Sequence, residues 1–87
     1  MFNFVTIKEV KERIGDWCRA LRKQERLSQQ ELADLLAVSR LTISKLENGD
    51  NVTLDTLLKV LNHFGEMQSL HAYITNRNET LRTESLY

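Results

Sequence analysis

Several features that often decide the class of a protein are absent or scarce in this chain of 87 residues. It contains no proline and only three glycines, which favours helices over a β-rich structure. Its one cysteine, Cys18, excludes an intramolecular disulfide bond and a cysteine-cluster zinc site. No apolar run of about 18 residues occurs, so no segment is predicted to span a membrane. The length fits one domain, and 41% hydrophobic residues suffice for a single core.

Signals for export and for catalysis are also missing from the sequence. The first five residues lack the basic start and the apolar stretch of a signal peptide, and we expect a cytoplasmic protein. No Ser/His/Asp grouping, glycine-rich phosphate loop or metal-ligand cluster is present. We therefore expect no enzymatic activity, no cofactor and no bound metal, and we interpret His63 and His71 as exposed residues.

The charges are distributed unevenly, although the net charge is zero. Residues 8–26 hold seven Lys or Arg against four Asp or Glu, whereas residues 27–66 hold three against six. Proteins that bind nucleic acids are usually basic, because neutralisation of phosphates supplies much of their affinity. The balance predicts modest non-specific binding to DNA, with useful affinity only for a dimer on a matched site.

The segment LSQQELADLLAVSRLTISKLENG, residues 27–49, has the pattern of two short helices joined by a tight turn. Ser28 and Glu31 form a capping box for the first helix, and Ser39 caps the second. Apolar residues at helical spacing form the inward stripe: Leu32, Leu35 and Leu36, then Ile43 and Leu46. The pattern is typical of a helix-turn-helix, whose second helix enters the DNA major groove.

Four side chains of the second helix are predicted to point outward: Arg40, Leu41, Ser44 and Lys45. The guanidinium of Arg40 can donate to O6 and N7 of a guanine, and Leu41 can contact a thymine methyl group. Ser44 and Lys45 suit a base or a phosphate. The alternative interpretation is that Arg40 and Lys45 are solvated charges and that Leu41 is incidentally exposed.

Two positions outside the second helix are predicted to hold phosphates. Gln29 opens the first helix, where a side chain and the free backbone N–H groups can bind an anion together. Asn51 lies in a loop before Thr53, the predicted cap of the next helix, and we predict that Asn51 and Thr53, with the free backbone N–H groups near Thr53, contact a second phosphate. The alternative for Gln29 is an ordinary surface residue.

Residues 14–65 resemble the lambda-repressor-like helix-turn-helix family, also called the Xre family. The resemblance rests on LRKQERLSQQELADLLAVSRLTISKLENG and on the following TLDTLLKVLNHFG. Within these stretches Ala33, Val38 and Ile43 stand in register with an SQQELA opening and a LENG ending. The resemblance implies a five-helix, all-α domain that binds double-stranded DNA as a homodimer. It assigns the groove to Ser39, Arg40, Leu41, Ser44 and Lys45, and the phosphates to Gln29 and the loop around Asn51.

Most of the chain is also similar to HipB-like antitoxins, which bind DNA and a HipA-type kinase toxin. This similarity rests on the loop and helix NGDNVTLDTLLKVL, a further element near residue 70 and a short polar tail. Three hypotheses therefore stand. The first is a homodimeric repressor or regulator on a two-fold operator, with half-sites roughly one helical turn apart. The second is an antitoxin, and the third is a protein-contact scaffold that the neutral charge and Leu41 favour.

A helix is predicted from the cap Thr6 to about Glu25. Its apolar residues recur at spacings of three and four: Ile7, Val10, Ile14, Trp17 and Leu21. We interpret this stripe as core packing anchored by Trp17, with a coiled-coil seam as the alternative. Cys18 beside it is interpreted as a small core or boundary residue.

The chain beyond Thr53 is predicted to contain an amphipathic helix that Gly65 ends. Residues 66–75, EMQSLHAYIT, fit a short strand and a helical face, and we prefer a helix that forms the dimer contact. Residues 76–87, NRNETLRTESLY, have low hydrophobicity and are predicted to be a mobile tail. We therefore divide the chain into a helix-turn-helix domain, residues 1–75, and a polar tail, residues 76–87.

Overall fold

The computed structural model describes residues 4–85, and these residues form five α-helices and no strand. The helices are α1 (Ile7–Gln24), α2 (Gln29–Leu36), α3 (Arg40–Glu47), α4 (Leu54–His63) and α5 (Met67–Ser85). This confirms the all-α, five-helix fold class. Over the described range, none of the helices combines the length and the apolarity that crossing a bilayer requires.

A hydroxyl side chain caps each of the first four helices by accepting a hydrogen bond from the backbone N–H three residues ahead. The caps are Thr6, Ser28, Ser39 and Thr53. At α2 the capping box is complete, because the Ser28 N–H also donates to Glu31 Oε1 at 2.8 Å. This hydrogen bond, with a smaller contribution from the Ser28 hydroxyl, lowers the pKa of Glu31. The predicted helix starts are thus confirmed.

The core lies between the first four helices. Its fully packed side chains are Cys18, Leu32, Ala33, Ile43, Leu46, Val60 and Leu61. Cys18 is fully buried, which confirms its interpretation as a small core residue. Burial, with a smaller effect from the negative charge of Glu47, raises the pKa of the Cys18 thiol to about 11. The thiol is therefore neutral at physiological pH.

The predicted inward stripe of α1 was partly wrong. Ile14 and Leu21 do pack against the core. The other three members are exposed, at 77% for Ile7, 46% for Val10 and 37% for Trp17. Trp17 therefore does not anchor the core, and the half of α1 near its N-terminus keeps an uncovered apolar face.

The buried face of α1 is instead centred on Gly15, Cys18 and Arg22. At Gly15, α1 lies so close to the end of α3 that an added Cβ would meet the carbonyl oxygen of Glu47 at 2.5 Å. Arg22 is buried because it pairs with the carboxylate of Glu47. An apolar pattern does not mark glycine or arginine as buried. For this reason the buried face of α1 is rotated about the helix axis from the predicted one.

Leu35, predicted to lie on the inward stripe, is also exposed, and so is Leu54 at the start of the amphipathic helix α4. Leu35 in α2 is 58% exposed and Leu54 in α4 is 71% exposed. In α2 the buried pair is Leu32 and Ala33, and successive residues turn by about 100°, so Leu35 lies on the flank of the buried stripe. Leu54 lies in the first turn of α4, where the inward residue is Thr56.

α4 ends before Gly65, which has a positive φ of 75°. α5 begins two residues later at Met67, and this confirms the helical interpretation of residues 66–75. Residues 76–85, predicted as a mobile tail, continue the same helix. No glycine or proline follows Gly65, so no local signal ends the helix there. Apart from Leu70, which packs partly against the core, the side chains of α5 are exposed. The tail residues 86 and 87 lie outside the described residues.

Candidate nucleic-acid interface

The turn between α2 and α3 fixes the direction in which α3 leaves the core. Ala37 adopts the left-handed conformation, with φ of 56° and ψ of 43°, which is uncommon for a residue other than glycine. The Val38 N–H then donates to the Ala33 carbonyl at 3.0 Å, and the Val38 side chain packs against the core. The two helices are therefore joined by an ordered turn.

α3 presents one buried face and one exposed edge. Ile43, Leu46 and Glu47 are buried. On the opposite side, Arg40 and Lys45 are exposed, Leu41 is 60% exposed and Ser44 is half-buried. Within residues 4–85, neither Arg40 nor Lys45 forms an ion pair or a side-chain hydrogen bond. We call the side chains of Arg40, Leu41, Ser44 and Lys45 the outer edge of α3.

The two serines of this region are already engaged within the helix. Ser39 accepts a hydrogen bond from the Thr42 N–H at 3.0 Å, and its hydroxyl lies 2.8 Å from that of Thr42. The Ser44 hydroxyl accepts a weaker hydrogen bond from the Asn48 amide at 3.4 Å. Ser39 is exposed at the start of α3, so its first structural role is to cap the helix that carries Arg40.

Gln29 is held at the start of α2 by a buried carboxylate. Its side-chain Nε2 donates to Glu47 Oε1 at 3.0 Å, and the side chain is half-buried. An amide nitrogen has two N–H donors, so one donor remains for an anion at the helix N-terminus. The contact with Glu47 fixes the direction of Gln29 before any ligand binds.

Glu47 is the centre of a hydrogen-bond network that the sequence analysis missed. Arg22 Nε donates to Oε2 of Glu47 at 2.7 Å, and Arg22 Nη2 donates to Oε1 at 2.9 Å. The third donor, Nη1, reaches the Leu27 carbonyl at 2.7 Å. Arg19 completes the network through its Nε, which lies 3.4 Å from Glu47 Oε1. The side chains of Arg22 and Glu47 are only 10% and 1% exposed.

The network keeps both partners charged at neutral pH. Burial alone would raise the pKa of Glu47, but the hydrogen bonds from Arg22 and Gln29, with the charge of Arg22, outweigh burial and lower it. The hydrogen bond to Glu47 likewise raises the pKa of Arg22 against the opposing effect of burial. Because Glu47 ends α3, the network ties α3 to α1 and to the start of α2, and so orients the outer edge.

The predicted phosphate residues of the loop lie beside α3. The Asn51 side-chain oxygen accepts a hydrogen bond from the Lys11 ammonium, and the Thr53 hydroxyl caps α4 by accepting from the Thr56 N–H at 3.1 Å. A hollow of about 200 Å³ separates α3 from the start of α4. It is lined by Thr42, Lys45, Asn51, Val52, Thr53 and Thr56. The fold thus brings Lys45, Asn51 and Thr53 together around one polar depression.

Of the four basic residues near the end of α1, two form contacts within the protein and two are exposed. Arg22 is buried in its pair, and Arg19 also donates to the Asn48 side chain at 3.2 Å. Lys23 and Arg26 are exposed. Within residues 4–85, no group of three or more His, Cys, Asp and Glu residues has the arrangement of a metal site.

The ordered turn and the outward edge of α3 define a helix-turn-helix protein. A family model described as helix-turn-helix matches residues 19–66, more than half of the 87 residues. The chain therefore belongs to the Xre-like helix-turn-helix family. The match contains all of α2, α3 and α4, which confirms the resemblance recognised in the sequence.

Relatives that share this region include proteins of three further organisms. A provisionally named HTH-type transcriptional regulatory protein of Methanocella arvoryzae is 48% identical over 46 residues, covering 53% of this chain and 14% of the relative. The similarly named protein of Methanosphaerula palustris is 46% identical over 46 residues, covering 53% and 15%. That of Methanoculleus marisnigri is 48% identical over 46 residues, with the same coverage of 53% and 15%. The similarity therefore concerns one segment of much longer proteins.

Proposed function

We propose that this protein is a sequence-specific DNA-binding transcriptional regulator, and that it acts as a homodimeric repressor on a two-fold operator. The observation that carries the proposal is the outer edge of α3, where Arg40 and Lys45 are exposed without an ionic partner in residues 4–85. The names of the relatives also support the proposal, since they describe transcriptional regulatory proteins of the helix-turn-helix type. The proposed site of action is the cytoplasm, and the role is binding rather than catalysis.

Base recognition is assigned to the N-terminal half of α3. Arg40 is its first residue, so its side chain reaches deepest when the helix enters the major groove by its N-terminal end. A guanidinium donates two parallel hydrogen bonds to O6 and N7 of guanine. Leu41, 60% exposed, offers an apolar surface to a thymine methyl group. Ser44 and Lys45 follow one turn later and serve a base or a phosphate.

Phosphate contacts are assigned to the two helix starts that flank α3. Gln29 and the free N–H groups of α2 bind one phosphate, with Gln29 already held by Glu47. Lys45, Asn51 and Thr53 line the hollow where a second phosphate binds. Ser39 caps α3 and lies beside the same groove. These few contacts, on a chain with zero net charge, give weak non-specific binding, so one protomer needs a second to hold its operator.

Selection of bound fragments from a pool of random duplexes tests this proposal. The full chain is expected to enrich one sequence with two-fold symmetry and half-sites about 10 base pairs apart. A regulator that binds as a monomer enriches a single half-site instead. A pool that shows no enrichment favours the third hypothesis, a scaffold used only for protein contacts, and contradicts the proposal.

The antitoxin hypothesis uses the same DNA-contacting residues and adds a kinase-type toxin as a partner. One observation favours it: the exposed apolar face of α1, formed by Ile7, Val10 and Trp17, is available to another protein. A hollow of about 410 Å³ adjoins this face, between Val10, Ile14 and Trp17. Copurification of the chain with a kinase from its source cells, lost on Trp17→Lys, supports the antitoxin. Retention of the kinase by the Trp17→Lys variant removes this surface from the hypothesis.

A further inference from the structure

We propose that a hollow between α1, the loop before α4 and α4 itself binds a free aliphatic α-amino acid, and that this ligand weakens operator binding. We call this hollow, whose volume is about 260 Å³, the α1–α4 hollow. The site lies apart from the outer edge of α3, and only its effect on the operator rests on the proposed function. Three observations support it: the apolar interior, two opposite charges that line it without pairing in residues 4–85, and a loop that it shares with the proposed phosphate site.

The interior of the α1–α4 hollow is mostly apolar. Its walls are formed by Ile14 of α1, Leu46 of α3, Val52 of the loop and Leu57 of α4. Leu46 is buried, and the other three pack partly against the core, so these walls are fixed by the fold. Pockets for drug-sized ligands measure about 300–1,000 Å³. The volume of the α1–α4 hollow lies just below that range, and it suits a smaller molecule with one aliphatic group.

Two side chains of opposite charge, Lys11 and Asp50, line the same hollow. Over the part of the chain that the structure describes, they form no ion pair with each other, and the Asp50 carboxylate accepts no hydrogen bond. The Lys11 ammonium donates to the side-chain oxygen of Asn51. An ammonium has three donors, so two remain for a ligand. Each charge is therefore available to an opposite charge in the hollow.

The two charges discriminate between classes of small amphipathic molecules. A monocarboxylate that pairs with Lys11 brings a negative charge close to Asp50, and a simple amine that pairs with Asp50 brings a positive charge close to Lys11. An α-amino acid carries an ammonium and a carboxylate on one carbon atom, so each charge of the hollow receives an opposite one. Its aliphatic side chain then occupies the apolar interior, and the polar groups fix its orientation.

The loop that forms one wall of the α1–α4 hollow also lines the hollow assigned to a phosphate. Asn51, Val52 and Thr53 line both of them. In the empty protein Lys11 donates to the amide oxygen of Asn51, which is a neutral acceptor. A ligand carboxylate is a stronger acceptor, and it draws the ammonium away from Asn51. Asn51 then loses the contact that fixes its amide beside the phosphate, so the occupied protein binds its operator more weakly.

NMR titrations of the full chain with L-leucine, L-isoleucine and L-valine, without DNA, test the site. The amide signals of Ile14, Val52 and Leu57 are expected to shift and to saturate, with a dissociation constant of about 1 mM or lower for at least one of the three. Two analogues of leucine serve as matched ligands: 4-methylpentanoate lacks the ammonium, and 3-methylbutylamine lacks the carboxylate. Each analogue is expected to bind at least about tenfold more weakly than L-leucine, because one charge of the hollow stays unpaired.

Variants of the two charged residues test their roles. Lys11→Met and Asp50→Asn each remove one charge, and each is expected to weaken amino-acid binding at least about tenfold. Lys8→Met removes a lysine of the same helix that is not among the described residues lining the hollow, and it is expected to keep the wild-type affinity. Thermal unfolding checks that all three variants fold. Asp50 is exposed in a loop, so Asp50→Asn keeps the test valid even if Lys11→Met is unstable.

Operator titrations with and without saturating amino acid test the coupling. The operator affinity is expected to fall at least about fivefold, and operator DNA is expected to lower the affinity for the amino acid by the same factor. Unchanged operator affinity overturns the coupling. The site itself is overturned if none of the three amino acids produces saturable shifts, or if both analogues bind as tightly as L-leucine. Since the NMR titrations contain no DNA, their failure leaves base recognition by α3 untouched, and a failure of base recognition leaves the site untouched.

Discussion

The guanidinium of Arg22 and the carboxylate of Glu47, 25 residues apart in sequence, share two hydrogen bonds of 2.7 Å and 2.9 Å inside the protein. This pair joins the last residue of α3 to α1, and Gln29 joins the same carboxylate from α2. The helix that carries the proposed base contacts is therefore oriented by an internal ion pair. The properties of this pair can be measured separately from DNA binding.

We expect Glu47→Ala to destabilise the protein by about 3–5 kcal/mol, because it leaves the buried Arg22 without its partner. The matched control is Glu79→Ala, which breaks an exposed ion pair with Arg82 of similar length, 3.0 Å. That substitution is expected to cost less than about 1 kcal/mol. Denaturant unfolding at one protein concentration, followed by the fluorescence of Trp17, measures both. Equal losses for the two variants would show that the Arg22–Glu47 pair contributes no more than a surface pair.

The stability that Glu47 provides is expected to depend on pH. The pKa of Glu47 is lowered in the folded protein from an ordinary value of 4.5, so the folded state favours the carboxylate. Its contribution is fully present above pH 4.5 and is lost as the pH falls through the folded pKa.

The measurement is the difference in unfolding free energy between the wild type and Glu47→Gln, determined from pH 7 downward. We expect a constant difference above about pH 4.5 and a steady decrease below it. Other carboxylates, such as that of Glu31, titrate in both proteins and cancel. A difference that stays constant at acid pH would refute the lowered pKa.

Gly15→Ala is expected to destabilise the protein by about 1–3 kcal/mol, because the new methyl group meets backbone oxygens of α3. The added Cβ would lie 2.5 Å from the Glu47 carbonyl oxygen and 2.7 Å from that of Leu46. At a helix position with open space, the same substitution would stabilise the protein, since Ala stabilises a helix by roughly 0.5–1 kcal/mol relative to Gly. Thermal unfolding of Gly15→Ala, with Asp16→Ala as the neighbouring control, shows whether the substitution lowers or raises the unfolding temperature. A raised unfolding temperature for Gly15→Ala would contradict the close approach of α1 to α3.

Lys45 is expected to contact a phosphate, because it lines the hollow shared by Asn51 and Thr53. Loss of one phosphate contact lowers the slope of log affinity against log salt by about 0.9. Titrations of operator DNA at several salt concentrations should show this for Lys45→Ala. Lys59→Ala, which removes a lysine paired with Asp55 on α4, should leave the slope unchanged. If both variants keep the wild-type slope, Lys45 does not bind phosphate.

Local sequence signals predicted the helix starts and the outward residues of α3. A hydroxyl cap acts over three residues, so Thr6, Ser28, Ser39 and Thr53 identify helix starts without knowledge of the rest of the fold. Arg40 and Lys45 are exposed as predicted, because Ile43 and Leu46 fix the inward side of the same helix. Their contacts with DNA remain predictions.

Features that depend on distant residues were not predictable in the same way. The burial of Arg22 requires Glu47, which lies on another helix, and the approach at Gly15 requires the end of α3. An apolar count therefore placed the inward face of α1 on Trp17 and Val10 instead. The helical continuation of residues 76–85 was missed for another reason. Low hydrophobicity indicates only that a segment is exposed, and an exposed helix is as compatible with it as an unstructured tail.

The most direct test of base recognition by α3 compares the affinity of the Arg40→Ala variant for the selected operator with its affinity for duplexes in which one guanine pair is replaced. We expect Arg40→Ala to lose about 1–3 kcal/mol of binding free energy on the operator and to show relaxed preference at one base pair in each half-site. Arg13→Ala, whose side chain is 87% exposed on α1, serves as the control and should discriminate like the wild type. If Arg40→Ala discriminates like the wild type at every base pair, Arg40 does not recognise a base.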